Sequence, residues 1–96
     1  LEVLDLYCGT GGFALNAAVG GARSVLGVDK AARAVRTSKN NAAANGLDGT
    51  VSFVRAEALS FAEEAARLGQ VWDLVVVDPP SFLTKSARST ARSFKR

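Results

Sequence analysis

Four short apolar runs, each closed by an acid or by turn residues and separated by helix-length stretches, restrict this chain to one kind of architecture. Leu1–Tyr7 (LEVLDLY) reads as a buried parallel strand running into Cys8–Gly12 (CGTGG), a glycine loop. Ser24–Val28 (SVLGV) is a second strand, closed by Asp29, and Val51–Arg55 (VSFVR) alternates as a third. Asp73–Asp78 (DLVVVD) is the clearest central strand, and Pro79-Pro80 forbids its continuation. Between them, Phe13–Val19 is helix-like and stopped by Gly20-Gly21. Ala31–Ala44 is alanine-rich and helical, with a stop at Asn45-Gly46. Ser60–Leu68 reads as a helix ended by Gly69, with Ser60 as N-cap and Glu63 at the capping-box spacing. Ser86–Arg96 is expected to begin another helix. The order is βαβαβαβ. Right-handed crossovers then predict an α/β fold, a parallel sheet with helices on both faces. A strand as apolar as Val75-Val76-Val77 belongs inside a sheet, so further strands are expected beyond residue 96.

The chain opens in the middle of an apolar run and is expected to be an internal piece of a longer protein. A hydrophobic content of 48% argues for a packed core over disorder. No apolar run approaches the roughly 20 residues needed to span a membrane, so no membrane partner is expected. The lone cysteine, Cys8, excludes an internal disulfide and fits a reducing compartment, which predicts an intracellular protein, cytoplasmic or organellar. Net charge is +3, unevenly spread. Residues 1–78 carry seven Lys/Arg against nine Asp/Glu, whereas residues 79–96 carry five basic residues and no acid. That basic segment is either a solvated face or a contact for an anionic partner such as nucleic acid.

Ligand sites in open α/β sheets gather at the carboxyl ends of the strands. Four acids fall there: Asp5, Asp29, Glu57 and Asp78. The Gly9-Thr10-Gly11-Gly12 loop opens a helix, where backbone can approach a ligand and unpaired N–H groups add positive potential. With Ala14 at its last place, the loop also permits a dinucleotide. Asp29 can accept hydrogen bonds from both hydroxyls of a ribose, or cap the helix that follows. In Asp78-Pro79-Pro80-Ser81-Phe82, an acid leaves a buried strand, two prolines stiffen the backbone and an aromatic follows. Phe82 can stack on a planar base or pack beneath the loop.

Taken together, these segments resemble the class I S-adenosylmethionine-dependent methyltransferases that modify RNA. Asp5-Leu6-Tyr7-Cys8-Gly9-Thr10-Gly11-Gly12-Phe13 is similar to their glycine motif, and Gly27-Val28-Asp29 to their ribose-binding strand end. Asn41 and Asn45-Gly46-Leu47 match a pattern of the following helix, and Phe53-Val54-Arg55-Ala56-Glu57 the segment whose acid reads adenine. Asp78-Pro79-Pro80-Ser81-Phe82 resembles the catalytic loop of the bacterial large-subunit ribosomal RNA methyltransferases, most closely the cytosine-C5 group. The resemblance implies a partial Rossmann-like methyltransferase fold. Residues 1–96 would be the N-terminal, cofactor-binding part of the domain, inactive alone. The cofactor would be S-adenosyl-L-methionine and the partner ribosomal RNA.

The resemblance also implies roles. Gly9, Thr10, Gly11, Tyr7 and Phe13 would border the cofactor, and Asp5 would orient the loop and the cofactor's amino group. Asp29, with Lys30 beside it, would hold the ribose. Glu57 and Ala58 would meet the adenine, although Asp is commoner than Glu at that place. Asp78, Pro79, Pro80 and Phe82 would form the catalytic loop between methyl donor and target base. Cytosine C5 is a poor nucleophile and needs a cysteine adduct. Cys8 is expected to pack as a small hydrophobe, so that nucleophile would lie beyond residue 96. Guanine-N7 or guanine-N2 methylation is the nearest alternative. A nicotinamide dinucleotide-binding oxidoreductase domain and a non-catalytic RNA-binding module are more distant ones.

Overall fold

The computed structural model describes residues 1–78. Pro79, Pro80 and Phe82, the basic segment and the expected helix from Ser86 lie outside the described residues. Four strands alternate with three helices: β1 (Glu2–Leu6), α1 (Gly12–Val19), β2 (Ser24–Asp29), α2 (Ala32–Ala44), β3 (Val51–Arg55), α3 (Ala58–Arg67) and β4 (Leu74–Val77). The sheet order is β3-β2-β1-β4 and every pairing is parallel. After β3 the chain returns across the sheet to place β4 on the far side of β1, so the order reverses between β1 and β4. That reversal opens a crevice at the carboxyl ends of these two strands.

Alternation along the strands sorts the core into two layers. Val3, Val25, Val51 and Phe53 point to the face covered by α1 and α2, where Ala14, Val35 and Ala42 meet them. Leu4, Leu6, Val28 and Val77 point to the other face, against Ala58 and the half-buried Phe61 and Trp72. Leu4 and Leu6 are both 2% exposed, and burying each contributes roughly 1.5–3 kcal/mol. α2 presents Val35, Ser38 and Ala42 to the sheet, a helical spacing that leaves its charged residues outside.

A close contact on the α1/α2 face requires glycine. A Cβ at Gly27, in the middle of β2, would lie 2.6 Å from Cδ1 of Phe53. The missing side chain lets the Phe53 ring pack against β2 and reach the glycine loop, where its Cζ is 3.2 Å from the Cβ position of Gly11.

Two local boundaries differ from the sequence expectation. The α3 helix starts at Ala58 and is capped by Glu57, not by Ser60. Both carboxylate oxygens of Glu57 take first-turn donors, 3.0 Å from the Leu59 and Ser60 N–H groups, and Ser60 donates its hydroxyl as well. A longer acidic side chain next to the helix start therefore outcompetes the serine for the same donors. At the other end of the chain, Tyr7 has φ 63° and so leaves the strand that was expected to include it. A left-handed conformation at a bulky residue is uncommon, and here it turns the backbone out of β1 into the glycine loop.

Candidate functional site

The site is built where β1, β2 and β4 end. Gly9 N–H donates to Oδ2 of Asp29 at 3.0 Å, and Ala31 N–H donates to Oδ1 of the same carboxylate at 3.0 Å. Asp29 thereby joins the β1–α1 loop to the start of α2. It is not the N-cap in the usual sense, since Ala31 holds that position. Each oxygen accepts one backbone donor and keeps room for another, which matches two vicinal ribose hydroxyls.

The carbonyls of the glycine loop are held from α2. Ser38, fully buried, donates its hydroxyl to the Gly9 carbonyl at 2.8 Å, and Asn41 Nδ2 donates to the Thr10 carbonyl at 3.2 Å. These tethers fix the loop with its other side open. A Cβ on Gly9 or on Gly12 would meet nothing within 4 Å.

Asp5 lies beneath this loop. It is 2% exposed, and its Oδ2 has no hydrogen-bond partner among the described residues. Burial, reinforced by the charges of Asp78 and Asp29, pushes its carboxyl up to about 7. A buried carboxyl beside two like charges is costly unless a donor or a cation arrives. The open space over the glycines and the half-used Asp29 carboxylate leave room for a polar ligand at the carboxyl edge of the sheet, close to the buried Asp5.

The other expected site residues are placed as follows. Asp78 is exposed at the end of β4, on the rim near Asp5. Tyr7 is half-buried, and its hydroxyl is raised above its usual range by burial and by the nearby Glu57 charge. Thr10 is exposed, and Phe13, in the first turn of α1, is 45% exposed. Glu57 is exposed, and its hydrogen bonds from Leu59 and Ser60 hold it below the usual carboxylate range. Oε2 accepts only from Leu59 and can still take a second donor. Ala58 buries its side chain in the core and offers only backbone at the first turn of α3. Lys30 is exposed and uses its carbonyl to accept from Arg55 Nε at 3.0 Å.

Cys8 packs in the α1/α2 core, and burial, with the Asp5 and Asp29 charges, pushes its thiol up to about 12. A thiol in that state is not a nucleophile at neutral pH. Among the described residues, no three His, Cys, Asp or Glu side chains are arranged to hold a metal ion. None of the described helices is long and apolar enough to cross a membrane.

Two contributors were missed in the sequence: Ser38 and Phe53. A serine on the apolar face of α2, three residues after Val35 and four before Ala42, was the available signal for the first. Nothing local marks Phe53, because its role depends on a glycine in a neighbouring strand.

A family model described as "Conserved hypothetical protein 95" matches residues 1–94. The chain belongs to that family. The chain is also similar to the ribosomal RNA large subunit methyltransferase I of Aeromonas hydrophila, 38% identical over 88 residues, covering 91% of this chain and 22% of that protein. The enzyme of the same name from Photobacterium profundum is 41% identical over 82 residues, covering 84% of this chain and 21% of the relative. The chain thus spans about a fifth of the length of these relatives. Among solved structures, a SAM-dependent methyltransferase from Agrobacterium tumefaciens superposes with a TM-score of 0.78 at 33% identity, covering 86% of this chain and 26% of that one. A putative methyltransferase, SMU.776, complexed with SAH, gives 0.78 at 32% identity, covering 88% of this chain and 23% of that one. The four-stranded parallel sheet and its three helices are therefore a portion of the class I methyltransferase fold.

Proposed function

We propose that this chain binds S-adenosyl-L-methionine at the carboxyl edge of its sheet and forms the cofactor-binding part of an enzyme that methylates a base in large-subunit ribosomal RNA. The observation that carries the reading is the unpartnered, buried Oδ2 of Asp5 beneath an open glycine loop that Asp29 anchors. Asp5 would take the cofactor's ammonium group, Asp29 the ribose hydroxyls and Glu57 Oε2 the adenine amino group. The backbone of Gly9, Thr10 and Gly11, with Tyr7 and Phe13, would border the remainder, and Lys30 and Ala58 would flank the nucleoside. When bound, the cofactor supplies an electrophilic methyl group on a sulfonium centre. Asp78 stands on the rim where a target base would meet it, followed in sequence by Pro79, Pro80 and Phe82.

Cytosine C5 is the finer reading of the target, supported by the likeness of Asp78-Pro79-Pro80-Ser81-Phe82 to the loop of that group. It requires a cysteine other than Cys8, whose thiol is buried and protonated. Guanine N7 or N2 is the alternative that requires no such cysteine.

Titration calorimetry with S-adenosylhomocysteine, with NADH as the comparison ligand, tests the cofactor. Selective binding of S-adenosylhomocysteine supports the reading, whereas selective binding of NADH replaces it with a dinucleotide enzyme. Incubating the full natural chain with ribosomal RNA and labelled S-adenosylmethionine, then mapping the product, tests the base.

A further inference from the structure

We infer that the outer face of α2, together with the end of β3, is a docking track for the phosphate backbone of RNA, separate from the cofactor site. Residues 1–78 are acidic in balance, yet their cations are not scattered. Four of the seven, Arg33, Arg36, Lys39 and Arg55, lie on α2 or at the end of β3, and a fifth, Lys30, precedes α2 and belongs to the proposed cofactor site. The remaining two, Arg23 and Arg67, are each engaged by a carboxylate, Glu2 and Glu64 respectively. None of the five forms an ion pair among the described residues, and α2 contains no acid at all.

Arg36, Lys39 and Arg55 line one open groove of about 260 Å³ whose floor is Ala32 and Val35. Lys39 also borders a second groove of about 530 Å³ along β3, where Asp48 brings a negative charge, so the cationic track ends at Lys39. Arg36 and Lys39, three residues apart, place their charges roughly 4.5 Å apart along the helix axis beside the groove, whereas Arg33 is turned further round α2. A row of cations over a shallow apolar floor suits a chain of evenly spaced anions with sugars between them, and Arg matches phosphate in a bidentate manner.

The direction of the track favours RNA over an acidic protein segment. Arg55 ends β3, so the track meets the sheet at its carboxyl edge, the end where Asp5, Asp29 and Asp78 gather. A strand held there can continue toward the reacting position. Arg55 is already oriented by its hydrogen bond to the Lys30 carbonyl, which leaves its terminal nitrogens for a ligand. The inference rests on the proposed RNA substrate.

The test is binding of a single-stranded fragment of large-subunit ribosomal RNA to the full natural chain across a salt series. Arg36→Gln/Lys39→Gln is compared with Arg67→Gln, which removes a cation from α3. Loss of two phosphate contacts should make the log–log salt slope shallower by about 1.4 and weaken binding roughly tenfold at 0.15 M salt. Arg67→Gln should change neither, and S-adenosylhomocysteine affinity should be the same in all three proteins. An unchanged slope in the double variant, with RNA still bound by the parent, overturns the track and leaves the RNA substrate standing. No RNA binding by a parent that binds S-adenosylhomocysteine overturns both. Equal competition by poly-glutamate of matched charge assigns the groove to acidic protein instead and overturns the RNA assignment.

Discussion

Ser38, in the middle of α2, donates its hydroxyl to the carbonyl of Gly9 at 2.8 Å, so the second helix sets the shape of the first loop. The contact spans 29 residues of sequence and is fully buried at the serine. Without it, the Gly9 carbonyl would keep only the weak Cys8 thiol donor at 3.8 Å, and the loop would lose one of its two tethers to α2. Ser38→Ala is expected to cost about 1–3 kcal/mol of stability, the penalty for an unsatisfied buried acceptor. Denaturant titration reads that loss. Calorimetry should show weaker S-adenosylhomocysteine binding in the same variant, because the loop must then be ordered by the ligand.

Asp5 ties stability to pH in a direction unusual for a carboxyl group. Its folded-state value, about 7, lies above the ordinary 3.8. Between those values the folded chain retains a proton that the unfolded chain has released. Stability is therefore greatest at acid pH with respect to this group, declines as pH rises from about 4 to 7, and levels off above. The full decline is about 4 kcal/mol at about 1.36 kcal/mol per pH unit. Asp5→Asn should remove it, raising stability at pH 8 and changing little at pH 4, while weakening S-adenosylhomocysteine binding. Melting curves of both proteins at the two pH values check this, and equal pH slopes would refute the assignment.

Gly27 and Phe53 form a steric pair. Gly27→Ala places a methyl group 2.6 Å from the ring, so either the ring or β2 must move. Overpacking of this kind is expected to destabilise the chain by about 1–3 kcal/mol. Combining it with Phe53→Leu, which shortens the intruding side chain, should recover part of the loss. A double-mutant cycle with no coupling energy would show that the two side chains do not compete for the same space.

Asp29 has two separable duties: it anchors Gly9 and Ala31, and it faces the proposed ribose. Asp29→Ala is expected to weaken S-adenosylhomocysteine binding at least tenfold, since hydrogen bonds to a charged acceptor contribute roughly 1.5–3 kcal/mol each. Normal affinity in that variant, measured by calorimetry on a chain that circular dichroism shows to be folded, would remove Asp29 from the site.

The order of elements was legible in the sequence because burial in a parallel sheet demands apolar runs of strand length, and Val25–Val28 and Leu74–Val77 satisfy it locally. The helix stops at Gly46 and Gly69 were equally plain, since both take positive φ. The placing of acids at strand ends was legible too, and Asp5, Asp29 and Asp78 do converge there. The α3 cap was misread because Glu57 and Ser60 both satisfy local capping preferences, and only the folded geometry shows which side chain reaches the free donors.

What the sequence determined by itself was therefore short-range: strand, loop and helix follow from periodicity and from backbone preferences within a few residues. What tertiary structure decided was long-range: that Phe53 lies over Gly27, that Ser38 holds Gly9, and that Asp5 keeps a buried oxygen free. It also gathered Arg36, Lys39 and Arg55 along one groove. Those relationships depend on which strands become neighbours and how helices are carried across the sheet, and the free energy of such contacts belongs to pairs of residues far apart in the chain.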